Sequence, residues 1–326
     1  MTKLKIGVFG AGHLGKIHIK CLQQAHERYE LVGFYDPNAA HAAKIAADSG
    51  IRAFDSVDAL IEVIEVADIV TPTIHHFAVA KAAILRGRHV FIEKPLTHTV
   101  AEAEELLALT TKHGVKVQVG HVERFNPAFL SLGDIVIDPM FVEAHRLAPF
   151  NPRGTDVSVV LDLMIHDIDL VLHLVKSEVK AIHASGVSVI SASPDIANVR
   201  IEFENGCVAN LTASRMSLKQ MRKVRFFQRD AYLSLDFLEK NAQIIHLLDR
   251  NTEGGDLMEI DTARGKKWLD IKMPEPVSVN AIQLELETFA DSIVQNTVPR
   301  VTIQDGYRAL KVAHQIIEAI GDTTLS

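Results

Sequence analysis

Over the first 120 residues, short apolar runs alternate with stretches of helical period. Residues 5–9, Lys-Ile-Gly-Val-Phe, read as a buried strand. Residues 14–24 carry apolar side chains three and four apart, the spacing of one helix face. The alternation continues with strands at 31–35, near 51, and at 68–70, 89–92 and 116–119. Between and after them fall helices at 38–48, 57–64, 74–86 and 100–113. Strands separated by single helices require parallel crossovers, so this half predicts an open, doubly wound sheet.

The pattern changes after Gly120. From residue 141 onward, β-type alternation recurs without regular intervening helices. Segments 199–203 and 207–211 flank Asn205-Gly206, a strong hairpin signal. Segments 224–227, 232–235 and 243–247 add strands, and helices are expected at 157–176, 281–295 and 303–320. The expected fold class is therefore α/β: an N-terminal Rossmann domain at 1–121, followed by an α+β domain at 122–326 with a mainly antiparallel open sheet.

Composition narrows the function classes. With 326 residues, 48% of them hydrophobic, the chain can bury real cores without metals or disulfides. The formal net charge of −7 argues against a general binder of nucleic acid or anionic membranes. Two cysteines, Cys21 and Cys207, make no disulfide framework and suit a reducing cytoplasm. No long apolar run and no signal-peptide pattern is present, so a cytoplasmic location is expected.

The first strand runs into Gly10-Ala11-Gly12-His13-Leu14-Gly15, which opens the first helix. In such a loop the first glycine allows the tight turn and the second lets a pyrophosphate approach the backbone. The third lets helix and strand pack closely, and the helix N-terminus receives the phosphates. Asp36 lies 36 − 15 = 21 residues past the last glycine, at the end of the second strand. Its carboxylate can accept hydrogen bonds from the adenosine ribose and would repel a 2′-phosphate, which favours NAD over NADP. A plainer reading makes Asp36-Pro37-Asn38 only a turn and helix cap.

Three further segments carry a family resemblance. Thr71-Pro72-Thr73-Ile74-His75-His76 resembles a Thr-Pro-Asn-x-x-His element, with Thr73 in place of the asparagine. The second segment is Gly87-Arg88-His89-Val90-Phe91-Ile92-Glu93-Lys94-Pro95-Leu96, and the third is Asp162-Leu163-Met164-Ile165-His166-Asp167. With Asp305-Gly306-Tyr307-Arg308-Ala309-Leu310 near the end, the chain resembles the Gfo/Idh/MocA family of oxidoreductases from end to end. It lacks a glycine-rich lead-in to the third segment, having Thr155-Asp156-Val157-Ser158-Val159-Val160 instead. Within the family, Gly120-His121-Val122-Glu123-Arg124-Phe125-Asn126-Pro127 resembles proteins related to UDP-N-acetylglucosamine 3-dehydrogenases. The resemblance implies an NAD-dependent dehydrogenase acting on CH–OH groups of a sugar or nucleotide sugar. It places Thr71, Thr73, His76, Glu93 and Lys94 among the cofactor contacts, beside Gly10, Gly12, His13, Leu14, Gly15 and Asp36, with His76 approaching the nicotinamide ribose.

Oxidising a secondary alcohol needs a hydride acceptor and a base for the hydroxyl proton. His166 is the candidate base because imidazole titrates near neutrality. Asp162, four residues earlier on the same expected helix, shares its face and could orient the ring or hold a sugar hydroxyl. Lys94 ends a parallel strand, where ligands of open α/β sheets gather, and its ammonium can polarise the reacting oxygen. The resemblance implies the same lysine and histidine. A competing metal site at Asp162, His166, Asp169 and His173 shares one helical face, but metals usually draw a ligand from a second element; no metal is expected.

A nucleotide-sugar diphosphate would need cations, and Arg124, Arg146, Arg153 and Arg215 are available; Arg124 and Arg153 join Lys94, Asp162 and His166 as expected substrate contacts. The working expectation is oxidation at C3 of UDP-N-acetylglucosamine, giving a 3-keto sugar and NADH. The alternatives are an inositol or aldose dehydrogenase, or a non-catalytic NAD-binding regulator of the same fold. The second sheet must cover its open face, so a homodimer or homotetramer through it is expected.

Overall fold

The computed structural model describes residues 3–151, 157–249, 257–263 and 265–323. It divides into two compact units: Met1–Val122 with Val279–Lys311, and Glu123–Ser278 with Val312–Ser326.

The first unit runs β1 (Leu4–Phe9), α1 (His13–Gln24), β2 (Tyr29–Tyr35), α2 (Ala39–Ser49), α3 (Val57–Ile61), β3 (Val66–Ile69), α4 (His76–Leu85), β4 (His89–Glu93), α5 (Val100–His113) and β5 (Val117–Gly120). The five strands are parallel in the order β2-β1-β3-β4-β5. Strands β3 and β5 are buried at every position, as a sheet covered on both faces requires. The expected strand near residue 51 shrinks to one bridge between Phe34 and Ala53, held by Phe34 N–H to the Arg52 carbonyl and Phe54 N–H to that of Phe34. Local chemistry sets the helix ends. Asn38 caps α2, while Thr99 and Glu102 form a reciprocal cap on α5, which Gly114 closes in the left-handed region.

The second unit begins inside a 3₁₀ turn at Val122–Phe125, which leads to α6 (Pro127–Leu130) and β6 (Phe141–Leu147). The expected helix at 157–176 is two elements, a wider π-type turn at Val160–Met164 and α7 (Ile165–Leu174). Strands β7 (Val179–Val187), β8 (Ile196–Phe203), β9 (Val208–Ser214), β10 (Met221–Phe227), β11 (Ala231–Asp236), β12 (Asn241–Leu248), β13 (Met258–Thr262) and β14 (Gly265–Lys272) follow. The nine strands order as β13-β14-β12-β11-β10-β6-β9-β8-β7, antiparallel except for the β6–β9 pair. Alternate side chains of β6, β9 and β11 are buried, so one face of the sheet is covered and the other is not. Gly206 takes φ +86° in the β8–β9 turn, which the Asn-Gly pair anticipated.

The chain closes with α8 (Ala281–Val294) and α9 (Ile303–Thr323). An uninterrupted second domain at 122–326 is not what forms, because 279–311 groups with the first unit. The cause is apolar: Leu286, Phe289 and Ala290 of α8 join Ile6, Val8, Phe34 and Phe91 in one core. The Tyr29 hydroxyl donates to the Leu286 carbonyl, and Gly306 packs so tightly on Val119 that a Cβ there would lie 2.6 Å from its methyl carbon.

Candidate functional site

In the first unit the glycine loop is a cradle with defined clearances. Gly10 has φ +94°, and a Cβ on it would sit 2.8 Å from the Val70 carbonyl oxygen. On Gly15 a Cβ would meet the Gly10 oxygen at 2.0 Å. On Gly12 it would meet nothing within 4 Å, so that glycine leaves space that the protein itself does not fill. Helix α1 starts at His13 and Leu14 with Gly12 as its N-cap and no side-chain cap, unlike α2, α5 and α8. Its first N–H groups and dipole end therefore suit an anion.

Asp36 closes over this loop. One carboxylate oxygen accepts from Ala11 N–H and the other from Asn38 N–H, both at 3.0 Å. It thus braces the loop and makes the turn as well. Thr71, whose backbone a Cβ on Gly10 would also crowd, buries its hydroxyl oxygen without a hydrogen-bond partner. Such an orphan beside an uncapped helix end fits a polar ligand. Thr73 is half-buried and opens the 3₁₀ turn that leads into α4. These features fit a bound dinucleotide.

Two of the expected cofactor contacts, His76 and Glu93, also make internal bonds. His76 is buried, with its ring nitrogens 2.9 Å from the Pro95 carbonyl and 2.8 Å from that of Thr71. It ties the β3 loop to the cis Lys94–Pro95 peptide. Burial pushes its imidazole down, against the pull of those carbonyls.

Glu93 is also buried and belongs to a triad that the sequence reading missed. His18 of α1 lies between Asp68, at 3.0 Å, and Glu93, at 3.2 Å. Burial alone would lower the His18 pKa, but the two carboxylates outweigh it and hold the imidazole well above its ordinary value. The other Glu93 oxygen accepts the Lys94 backbone N–H, which anchors the half-buried Lys94 at the strand end. The signal was present: a histidine on the buried face of α1 and an aspartate inside an apolar strand.

In the second unit Asp162 and His166 are both half-buried. Asp162 sits in the π-type turn and His166 in the first turn of α7, so they are not successive turns of one regular α-helix. Turns of this type are uncommon and concentrate at functional sites.

Three of the four arginines named for a diphosphate are engaged internally. Arg124 is buried and grips Asp169 through two bonds of 2.8 and 2.6 Å, with His173 at 3.1 Å. Arg146 grips Asp167 at 3.0 and 2.8 Å and Glu123 at 2.8 Å. Arg215 donates to the Val157 carbonyl at 2.6 Å and is buried. Arg124 is therefore corrected from a substrate contact to an internal one: a guanidinium already holding a carboxylate in a dry interior has no face left for phosphate. Arg153 lies outside the described residues. The same bonds engage two of the four side chains in the metal reading, and among the described residues no group of three such side chains is arranged to hold a metal ion.

A dinucleotide cradle on a parallel sheet, joined to a unit with a broad, largely antiparallel sheet, defines a two-domain oxidoreductase. Residues 4–121 match the NAD-binding Rossmann fold of the Gfo/Idh/MocA oxidoreductase family, and 138–229 match a C-terminal domain of that family; the chain belongs to it. It is 41% identical over 247 residues to the UDP-N-acetylglucosamine 3-dehydrogenase of Acidithiobacillus ferrooxidans, covering 76% of this chain and 78% of that one. A solved structure of that enzyme superposes with a TM-score of 0.88 at 35% identity over 99% of both chains. The scyllo-inositol 2-dehydrogenase (NAD(+)) of Bacillus subtilis is 28% identical over 66% of this chain and 68% of its own. The chain is thus an NAD(P)-binding oxidoreductase for a small molecule, and no helix among its described residues is long and apolar enough to cross a membrane.

Proposed function

We propose that this chain oxidises a secondary hydroxyl of a nucleotide sugar, C3 of UDP-N-acetylglucosamine, and produces a 3-keto sugar and NADH. The observation that carries this reading is the match to the Acidithiobacillus enzyme at 41% identity and, in structure, over nearly the whole of both chains. NAD is the assigned cofactor because Asp36 stands over the glycine loop, where a 2′-phosphate would meet its negative charge. When bound, the nicotinamide accepts the hydride.

The chain's own groups do the rest. Lys94, fixed through its backbone to Glu93, presents an ammonium that polarises the reacting oxygen. His166 takes the hydroxyl proton, and Asp162 holds a sugar hydroxyl or the imidazole. His76 and Glu93 hold the strand end that carries Lys94, on the side of the site assigned to the cofactor. Of the four arginines considered, Arg153 remains assigned to the diphosphate. A cytoplasmic homodimer or homotetramer through the open face of the nine-stranded sheet completes the reading, and a monomeric mass by light scattering would contradict that assembly.

The test is a panel of UDP-N-acetylglucosamine, free hexoses and inositols with NAD, read as NADH absorbance. Turnover of the nucleotide sugar alone is expected. Turnover of a free inositol or hexose alone replaces the assignment with the inositol-type reading. In Lys94→Ala and His166→Ala, turnover should fall by about 10²-fold or more while NAD binding persists. Unchanged turnover removes the roles given to them, and no turnover of any substrate by the wild-type chain favours an NAD-binding regulator.

A further inference from the structure

Five charged side chains in the second unit form a closed circuit that begins and ends on α7. From Asp167 it passes to Arg146 on β6, then to Glu123, across one peptide link to Arg124, and back to Asp169. No member is more than 3% exposed. Asn126 braces the circuit by donating to Glu123 at 2.9 Å and to the Phe237 carbonyl at 3.1 Å. The five residues come from three separate stretches of chain: the turn at Val122–Phe125, strand β6 and helix α7.

The placement of the two grips on α7 is informative. At 3.6 residues per turn, Asp167 projects about 100° to one side of His166 and Asp169 about 60° to the other. His173, also in contact with Arg124, lies about 20° from the His166 direction. The helix is thus held on both flanks of the line along which His166 projects, in the turn just after the π-type segment that carries Asp162. Both grips use two parallel N–H···O bonds, a geometry that resists rotation of the helix as a single point charge would not.

Burying three carboxylates and two guanidiniums is a poor way to gain stability, since apolar side chains of similar volume often serve as well or better. What such a circuit supplies is a fixed arrangement. We propose that the Arg124–Asp169 and Arg146–Asp167 grips are a positioning device for His166, setting the rotation of α7 so that the imidazole is presented in one orientation. The proposal rests on the reading of His166 as the proton acceptor. It gives Glu123, Arg124 and Asn126 of the Gly120–Pro127 motif a role in aiming the base, not in meeting the substrate.

The test uses Arg124→Lys, Asp169→Asn, Asp167→Asn and the Arg124→Lys/Asp169→Asn double variant in the full chain. Arg124→Lys keeps the charge and loses the parallel pair, while the asparagines keep the shape and lose the charge. The first readout is NMR of the ¹⁵N-labelled histidine rings, with His166 assigned by its absence from His166→Gln. The wild-type ring should give one set of resonances, and the variants shifted or multiple sets. The second readout is kinetic: kcat should fall by about 10- to 100-fold with the KM for NAD unchanged, and the double variant should be no worse than the worse single. His166 resonances and kcat both unaltered in any folded variant overturn the proposal, as does a loss confined to thermal stability. The NMR readout does not depend on turnover, so the grips are judged by it whether or not the nucleotide-sugar assignment survives.

Discussion

Gly15 lies against Gly10 so closely that a Cβ on the former would sit 2.0 Å from the carbonyl oxygen of the latter. Backbone meets backbone there, and no flexible side chain can yield. Gly15→Ala should therefore destabilise the fold by roughly 1–3 kcal/mol or more, read as a lowered Tm. Gly12→Ala meets open space, so its Tm should match the wild type while its NAD affinity falls at least tenfold. Equal affinity for NAD in Gly12→Ala would show that the space is not used by the pyrophosphate.

Thr71 gives a second separation of folding from binding. Its buried hydroxyl oxygen has no partner in the protein, so Thr71→Val should leave Tm unchanged or raise it. If the hydroxyl bonds the dinucleotide, the variant should bind NAD about 5- to 10-fold more weakly, a net hydrogen bond's worth. A calorimetric titration that gives wild-type affinity would show that the Thr71 hydroxyl does not bond the dinucleotide.

Asp36 has two duties, and they predict a compound effect. Asp36→Asn keeps an acceptor for Ala11 N–H but loses the charge. The ratio of kcat/KM for NAD to that for NADP should drop by about tenfold, most of it through better use of NADP. A constant ratio would mean that Asp36 only braces the loop and turn.

His18 makes a pH-dependent contribution to stability. Its folded pKa is raised above the unfolded value of about 6.5 by Asp68 and Glu93, despite burial. The stabilisation is therefore complete below about pH 6.5 and is lost as pH rises through the higher folded value. His18→Gln leaves two buried carboxylates without their cation and should cost on the order of 3–5 kcal/mol. The gap in unfolding free energy between wild type and variant should be widest near pH ~6 and narrow toward alkaline pH. A gap that widens with pH would show His18 to be neutral in the folded state.

Much of the first unit was legible in the sequence because its determinants are local. Helix α5 falls at Val100–His113 because Thr99, Glu102 and Gly114 specify both ends within the segment itself. The glycine loop was readable for the same reason: three spacings and a strand-to-helix context determine it. Asp36 was placed by distance along the chain, and its carboxylate does reach the loop.

What sequence alone left open depends on partners far along the chain. Arg124 looked like a cation for a phosphate because nothing near it in sequence reveals Asp169, 45 residues away. The short apolar period of α8 says that one face is buried, but not that the face packs under Phe34 and Phe91 of the first unit. The π-type turn at Asp162 likewise has no local signature, since a segment of helical period accommodates either winding. Periodicity and turn chemistry determined which elements form and where the dinucleotide cradle lies. Only the tertiary structure decided which charges are buried against one another, because that choice is made where desolvation must be offset by a partner and not where the residue stands in the chain.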